Sequence, residues 1–392
     1  MSAKITPAPA GFLLSDAPFL NGNRIAVYSY AATAIYGLLV FYAYYRGFWF
    51  RDAAGFPTPT DFVSFWSAGF IAYAGRAPEA YIWELHKQAA IFAIGRQFEE
   101  IFPWHYPPTF LLVALPLAWL PYLQAWFLWV ALSGAFFLAA LRRILPRLAV
   151  PVGLAAPTSL ACAVVGQNGF LTAGLMAAAL ALLDRRPRLA GLFLGLLTYK
   201  PHFGVLFPLF LALEKRWSTI LSAAASAVAF AGISALVFGT DTWRAFFESI
   251  AVTNAMLHAG AAGWHKLQSV YALFRQLTRD NLVSWAAHGL VAAGVGALAL
   301  RVWTRSASPA VKSAALVAAS FLVAPYAYVY DAVVLTVAAA FLARDGQERG
   351  FGPWEKILLC LACIVPAFFY VLNTTASLVA GFLLLFVAVR RA

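Results

Sequence analysis

The sequence predicts an all-α integral membrane protein, a multi-span bundle of about 12 transmembrane or half-membrane helices, with interfacial helices in its first long external loop. Three observations lead there. Hydrophobic residues make up 62% of the 392 and charged ones only 11%, and mean hydropathy is +0.76, more apolar surface than a soluble core can hide. Apolar runs of the roughly 20 residues that cross a bilayer recur along the chain. The basic residues behind a formal net charge of +12 punctuate these runs instead of gathering on one face, which argues against nucleic acid as a partner and fits cytoplasmic turns under the positive-inside bias. We read one polytopic membrane domain, residues 1–392, with an external loop at 46–106 and a second at 240–281.

The elements follow in order. Arg24 precedes an apolar run from Ile25 to Tyr45, too long for the core of a signal peptide, which reads as an uncleaved first span. The segment from Thr58 to Tyr106 is then external; its aromatic stretches, Phe62-x-x-Phe65-Trp66 first among them, suit amphipathic helices lying in the interface. The run from Pro107 to Leu141 is too long for one straight span, and Pro116 and Pro121 are the places to break it. A turn at Gly166-Gln167-Asn168-Gly169 joins the next pair. Between Arg188 and Glu214 the chain must leave and return in a stretch too short for two full spans, which implies half-length helices broken at Tyr199-Lys200-Pro201-His202. Later turns fall near Pro325–Asp331 and Asn373–Thr375, and Arg390-Arg391 ends the chain inside. The three cysteines lie in apolar runs, and Cys360-x-x-Cys363 lacks the strand and helix pattern of a redox pair.

Only the basic loop clusters orient this threading, yet Asp61, His105, Gln167, Asn168, Lys200, His202, Tyr330 and Asp331 all land on the external side. The second external loop adds His258, Trp264-His265-Lys266 and Gln268-Ser269 above them. Each has a plainer role. Asp61 suits an N-terminal helix cap as well as a catalytic carboxylate. Lys200, in an apolar stretch where a charge costs about 2.5–3.5 kcal/mol, marks a site or snorkels to the headgroups. His105 and His202 fit an aromatic belt, Gln167 and Asn168 a tight turn, and Asp331 an ion pair with an arginine. No metal, P-loop or dinucleotide motif is present.

The order of Asp61, His105-Tyr106-Pro107-Pro108, Pro116-Leu117-Ala118, Leu120-Pro121, Gly166-Gln167-Asn168, Ala190-Gly191, Lys200-Pro201 and Gln268-Ser269 resembles glycosyltransferase family 87, the polyprenol-phosphate-mannose-dependent α-mannosyltransferases of the membrane-embedded GT-C superfamily. The resemblance covers about residues 55 to 275 and continues beyond only in hydropathy. It implies a GT-C fold, a donor hexose on a polyprenyl phosphate, a lipid or glycolipid acceptor, Asp61 as general base, and Lys200 as a contact for the donor phosphate. His202, His105, Gln167, Asn168, Gln268, Tyr330 and Asp331 join Lys200 as expected substrate-binding residues. Tyr328-Val329-Tyr330-Asp331 stands where a Trp-His-like pair is expected, which bears on sugar or acceptor preference. No cofactor or metal is expected, and the site is expected to face the periplasm or exterior from the cytoplasmic membrane. The chemistry suits the residues: a sugar on a phosphate has a good leaving group, so one base and a cation suffice, whereas a glycosidase needs two carboxyls. The rival reading is a transporter or lipid flippase with the Lys200 break as its site.

Overall fold

The computed structural model describes residues 15–260 and 263–392, so the start of the chain and two positions of the second expected loop lie outside the described residues. The described chain is helical apart from strands β1 (Phe48–Trp49) and β2 (Arg51–Asp52), an antiparallel pair with Trp49 opposite Arg51. Helix α1 (Gly22–Tyr45) starts where the Asn21 side chain accepts from the backbone N–H of Arg24. Its 24 residues rise about 36 Å, enough for a bilayer's apolar core. Then come α2 (Phe62–Tyr73), α3 (Trp83–Ile94), α4 (Pro108–Leu117) and α5 (Tyr122–Ile144). The Pro107–Leu141 run does break, between Leu117 and Tyr122, where Pro121 has no N–H to continue the ladder.

Next are α6 (Ala149–Ala155), α7 (Pro157–Val165), α8 (Gly169–Leu182), α9 (Pro187–Leu196), α10 (Pro201–Gly204) and α11 (Phe207–Leu213). The expected interruption is present: after a 3-10 turn at Leu197–Tyr199, Lys200 leaves the helical region at φ −129°, ψ 71° and Pro201 starts again. The chain continues through α12 (Trp217–Phe238), α13 (Thr240–His258), α14 (Val270–Thr278), α15 (Asn281–Thr304), α16 (Pro309–Val323), α17 (Val333–Arg349), α18 (Glu355–Ile364), α19 (Phe369–Leu372) and α20 (Ala376–Arg391).

Among the described residues, five helical segments are long and apolar enough to cross a membrane: Gly22–Tyr45, Tyr122–Ile144, Trp217–Phe238, Asn281–Thr304 and Glu355–Leu372. The other apolar helices are shorter. Of these α8 and α16, with α17, form the densest interior, whereas α1 and α12 bury almost nothing and present Leu38, Phe41, Leu221 and Leu236 outward. Such a surface needs lipid around it.

One expectation is corrected. Helix α2 does not have the open face of an amphipathic interfacial helix; Phe62, Val63, Phe65, Trp66, Ala68 and Ile71 are all buried. A helix apolar all round belongs inside, and Gly69 lets it touch α4 so closely that a Cβ there would stand 2.2 Å from the Ala114 carbonyl oxygen.

The half-helix α9 is held by α12 through small residues. A Cβ on Gly195 would sit 1.8 Å from Ser226 Oγ and one on Gly191 2.4 Å from the Thr219 carbonyl oxygen, while Ser222 Oγ donates to the Arg188 carbonyl at 2.6 Å. This is the small-xxx-small packing of membrane helices. Gly195→Leu is therefore expected to separate α9 from α12 and lower the melting temperature in detergent, whereas Gly204→Ala, with open space around it, serves as the neutral control.

The helices share a polarity. Helices α5, α15, α17 and α20 run toward Arg142-Arg143, Arg301, Arg349 and Arg390-Arg391. At that end Arg216 pairs with Asp184 and Glu214, Lys312 with Glu214, and Arg391 with Asp345 and Glu355. Asp331 lies at the opposite end of α17 from Arg349, and the cluster around it collects there.

Candidate functional site

Asp61 stands at the N-terminus of α2 after the Thr58-Pro59-Thr60 turn, which is fixed by a bridge from Pro57 to Arg51 and a 3.3 Å hydrogen bond between the Thr60 and Tyr122 hydroxyls. The capping role open to Asp61 in the sequence is not taken: its side chain makes no cap bond to α2. The residue is part-buried. Burial pushes its carboxyl up to about 6, against the opposing pull of Lys266 first, then the Gln167 amide, then Lys200. A base with that pKa is ionised at neutral pH yet still accepts a proton readily.

Two glycines wedge the Gly166–Gly169 turn beside it. Gly166, at φ 68°, has room for no side chain: a Cβ would lie 2.5 Å from Trp126 Nε1 and 2.7 Å from Phe62 Cβ. At Gly169 it would lie 2.1 Å from the Tyr330 carbonyl oxygen. The turn thus touches the residue after Asp61 on one side and the residue before Asp331 on the other. Gln167 Oε1 accepts from the Tyr106 hydroxyl at 3.2 Å and from the Asn168 N–H at 3.1 Å, which leaves its NH₂ for other acceptors. Asn168 is fully buried, and neither atom of its amide has a hydrogen-bond partner among the described residues. Below, Thr172 and Tyr199 share a 2.6 Å hydroxyl bond.

Lys200 and Asp331 meet from 131 residues apart. Nζ lies 2.5 Å from Oδ1 with both side chains buried, and Asp331 Oδ2 also accepts from the Tyr328 N–H at 3.1 Å. The partner of Asp331 is therefore a lysine, not an arginine, and Lys200 reaches inward instead of out to headgroups. Its ammonium lies 5.2 Å from the Tyr330 ring centre, and Tyr330 stacks on Tyr328 with centroids 5.3 Å apart.

The second loop is stitched to the same turn. Leu267 bridges Tyr328, and the Gln268 N–H donates to Ala327 at 2.6 Å. The Gln268 amide is committed to backbone, donating to His265 and Thr374 and accepting from Ser377, so it holds the turn together. Lys266, beside it, is exposed and has no ion pair among the described residues. His105 is exposed, its Nδ1 3.1 Å from Thr253 Oγ1 on α13. His202 adjoins Lys200, and its Nε2 is buried without a hydrogen-bond partner among the described residues.

The structure thus gathers Asp61, Gln167, Asn168, Lys200, Tyr330 and Asp331 and leaves His105 and His202 outside that group's hydrogen bonds. Sequence reasoning names Lys266, Tyr106 and Tyr328 only as members of motifs and gives none of the three a role of its own. Lys266 reads as one more solvated charge in a polar loop; Tyr106, between His105 and Pro107, has the signature of an aromatic belt. Among the described residues, no three of the His, Cys, Asp and Glu side chains are grouped to hold a metal ion.

Residues 104–325, more than half of the chain, match the family model described as Glycosyltransferase family 87. No curated protein and no solved structure matches. The matched stretch begins later and runs further than the 55 to 275 read from motifs; it contains Gln167, Asn168, Lys200 and Lys266, while Asp61 and Asp331 are joined to it through the contacts above.

Proposed function

Because the chain belongs to glycosyltransferase family 87, and is a membrane glycosyltransferase on that ground, we propose that it moves a hexose, with mannose the first candidate, from a polyprenyl-phosphate-sugar donor to a lipid-linked or membrane-associated acceptor within a GT-C architecture. The observation that carries this reading is the Asp61 carboxylate: uncapped, part-buried and poised near pH 6, with lysine ammonium groups acting on it from two elements. An acceptor hydroxyl oxygen attacks the anomeric carbon, Asp61 takes the hydroxyl proton, and the bond from that carbon to the phosphate oxygen breaks with its electron pair leaving on polyprenyl phosphate. One displacement inverts the anomeric centre. Gln167 and Asn168 offer the amide groups that sugar hydroxyls need, and the buried, unpartnered Asn168 amide supports that assignment because such a group carries a desolvation cost of about 1–3 kcal/mol until a partner arrives.

Placement on the non-cytoplasmic face of the cytoplasmic membrane is part of the same reading. The arginine-rich turns lie at the helix ends away from Asp61, as the positive-inside bias requires of such an orientation.

The test is transfer of radiolabelled hexose from a set of polyprenyl-phosphate hexoses into lipid extract by the purified protein, with and without EDTA. Label moving at the same rate in both is expected, since side-chain cations suffice for this leaving group. No transfer from any donor would move the weight to a transporter, which a flux assay then addresses.

A further inference from the structure

We propose that the cation that meets the donor phosphate is Lys266, on the second loop, and that Lys200 serves instead to hold the helix break. This rests on the glycosyltransferase reading above and assigns a contact within it.

Lys200 is not free to bind an anion. Its ammonium lies 2.5 Å from Asp331, both are buried, and Asp331 is further fixed by the Tyr328 N–H. A phosphate arriving there meets a neutral pair, and drawing Lys200 away leaves a carboxylate buried without its counter-charge, which is strongly disfavoured. Lys266 has the opposite properties. It is exposed, and among the described residues no carboxylate is within ion-pairing distance and no hydrogen bond occupies its ammonium. Its backbone is nonetheless anchored: the adjoining Leu267 pairs with Tyr328, and Gln268 bonds to Ala327, His265, Thr374 and Ser377. An exposed ammonium on an anchored stretch of backbone thus stands at the rim of the Asp61 cluster. Of all the charges acting on Asp61 its effect is the largest, ahead of Lys200 and Asp331.

The position matters for the reaction. As the bond to the anomeric carbon breaks, polyprenyl phosphate gains a full negative charge, and a cation that strengthens its hold at that moment lowers the barrier. Lys266 also links the two substrates. Its charge, with that of Lys200, opposes the effect of burial on Asp61; Asp331, Tyr106, Tyr122, Tyr328 and Tyr330 are the other titratable groups that act on that carboxyl or feel its charge. Once a phosphate neutralises Lys266, Asp61 loses that pull and becomes the stronger base just when the acceptor must be deprotonated.

Lys266→Met and Lys266→Arg, both at an exposed position, are compared with wild type for binding of a polyprenyl monophosphate and for transfer as a function of pH. Lys266→Met is expected to weaken binding about 10- to 100-fold, the range of one charge-assisted hydrogen bond, and to move the acid limb of kcat/KM to higher pH. Lys266→Arg is expected to restore both. Unchanged binding and an unchanged limb in Lys266→Met overturn the assignment while leaving wild-type transfer, and the family chemistry, standing. Binding lost in Lys266→Met with no wild-type transfer from any donor supports the phosphate contact and sinks the transfer reading instead.

Discussion

Asp61→Asn is expected to leave the protein folded and to lower transfer by about 10²- to 10⁴-fold, the usual contribution of a general base. The amide matches the carboxylate in size, and no helix cap is lost because none is made. Folding is expected to be unharmed or improved: a carboxyl raised to about 6 binds its proton more tightly in the folded chain. Its contribution to stability therefore grows as pH falls through that value and is at its worst at neutral pH. The rate moves the other way. In wild type, transfer is expected to fall about tenfold per pH unit below about 6, as the base becomes protonated, and the residual activity of Asp61→Asn is expected to lack that limb. Initial rates from pH 5 to 8, with melting curves on both proteins, decide the matter. Near-wild-type transfer by a folded Asp61→Asn removes Asp61 from the role of base.

Lys200→Met is expected to cost about 3–5 kcal/mol, because it strands Asp331 as a buried charge without its partner. Adding Asp331→Asn removes the stranded charge and keeps an oxygen for the Tyr328 N–H, so the double variant is expected to melt well above the single one. Thermal unfolding of the two in the same detergent measures this directly. A single variant as stable as wild type would mean that the pair does not hold the break at Pro201.

Much of the backbone plan was legible in the sequence because it is written in local chemistry. A lysine and a proline inside an apolar run mark the interruption at Lys200, and prolines 116 and 121 flank the break between α4 and α5. What stayed hidden depends on distant partners. Nothing near Asp331 says that its counter-charge is Lys200. The aromatic spacing after Asp61 fits an interfacial helix as well as a buried one; the deciding fact is Gly69 against Ala114, a contact between segments. The number of spans is not legible for a related reason: other helices cover α8 and α16, and hydropathy cannot tell a protein neighbour from a lipid one. Lys266 stands in the expected external loop without a role of its own, because an exposed lysine in a polar loop carries no signal until the loop is seen bound to the Tyr328 turn.

The pairing of Lys200 with Asp331 also sets an order on the making of the protein. Translation runs from the N-terminus, so Lys200 emerges 131 residues ahead of Asp331, a delay on the order of ten seconds at ribosomal speed. During that interval the half-helices around Pro201 carry an uncompensated ammonium that the bilayer core disfavours. The nascent chain must keep this stretch at the water boundary, or sheltered by its insertion machinery, until α17 arrives and lets both charges go inward together. The C-terminal third, remote from Asp61 in sequence, thereby becomes the element that finishes the membrane integration of the site.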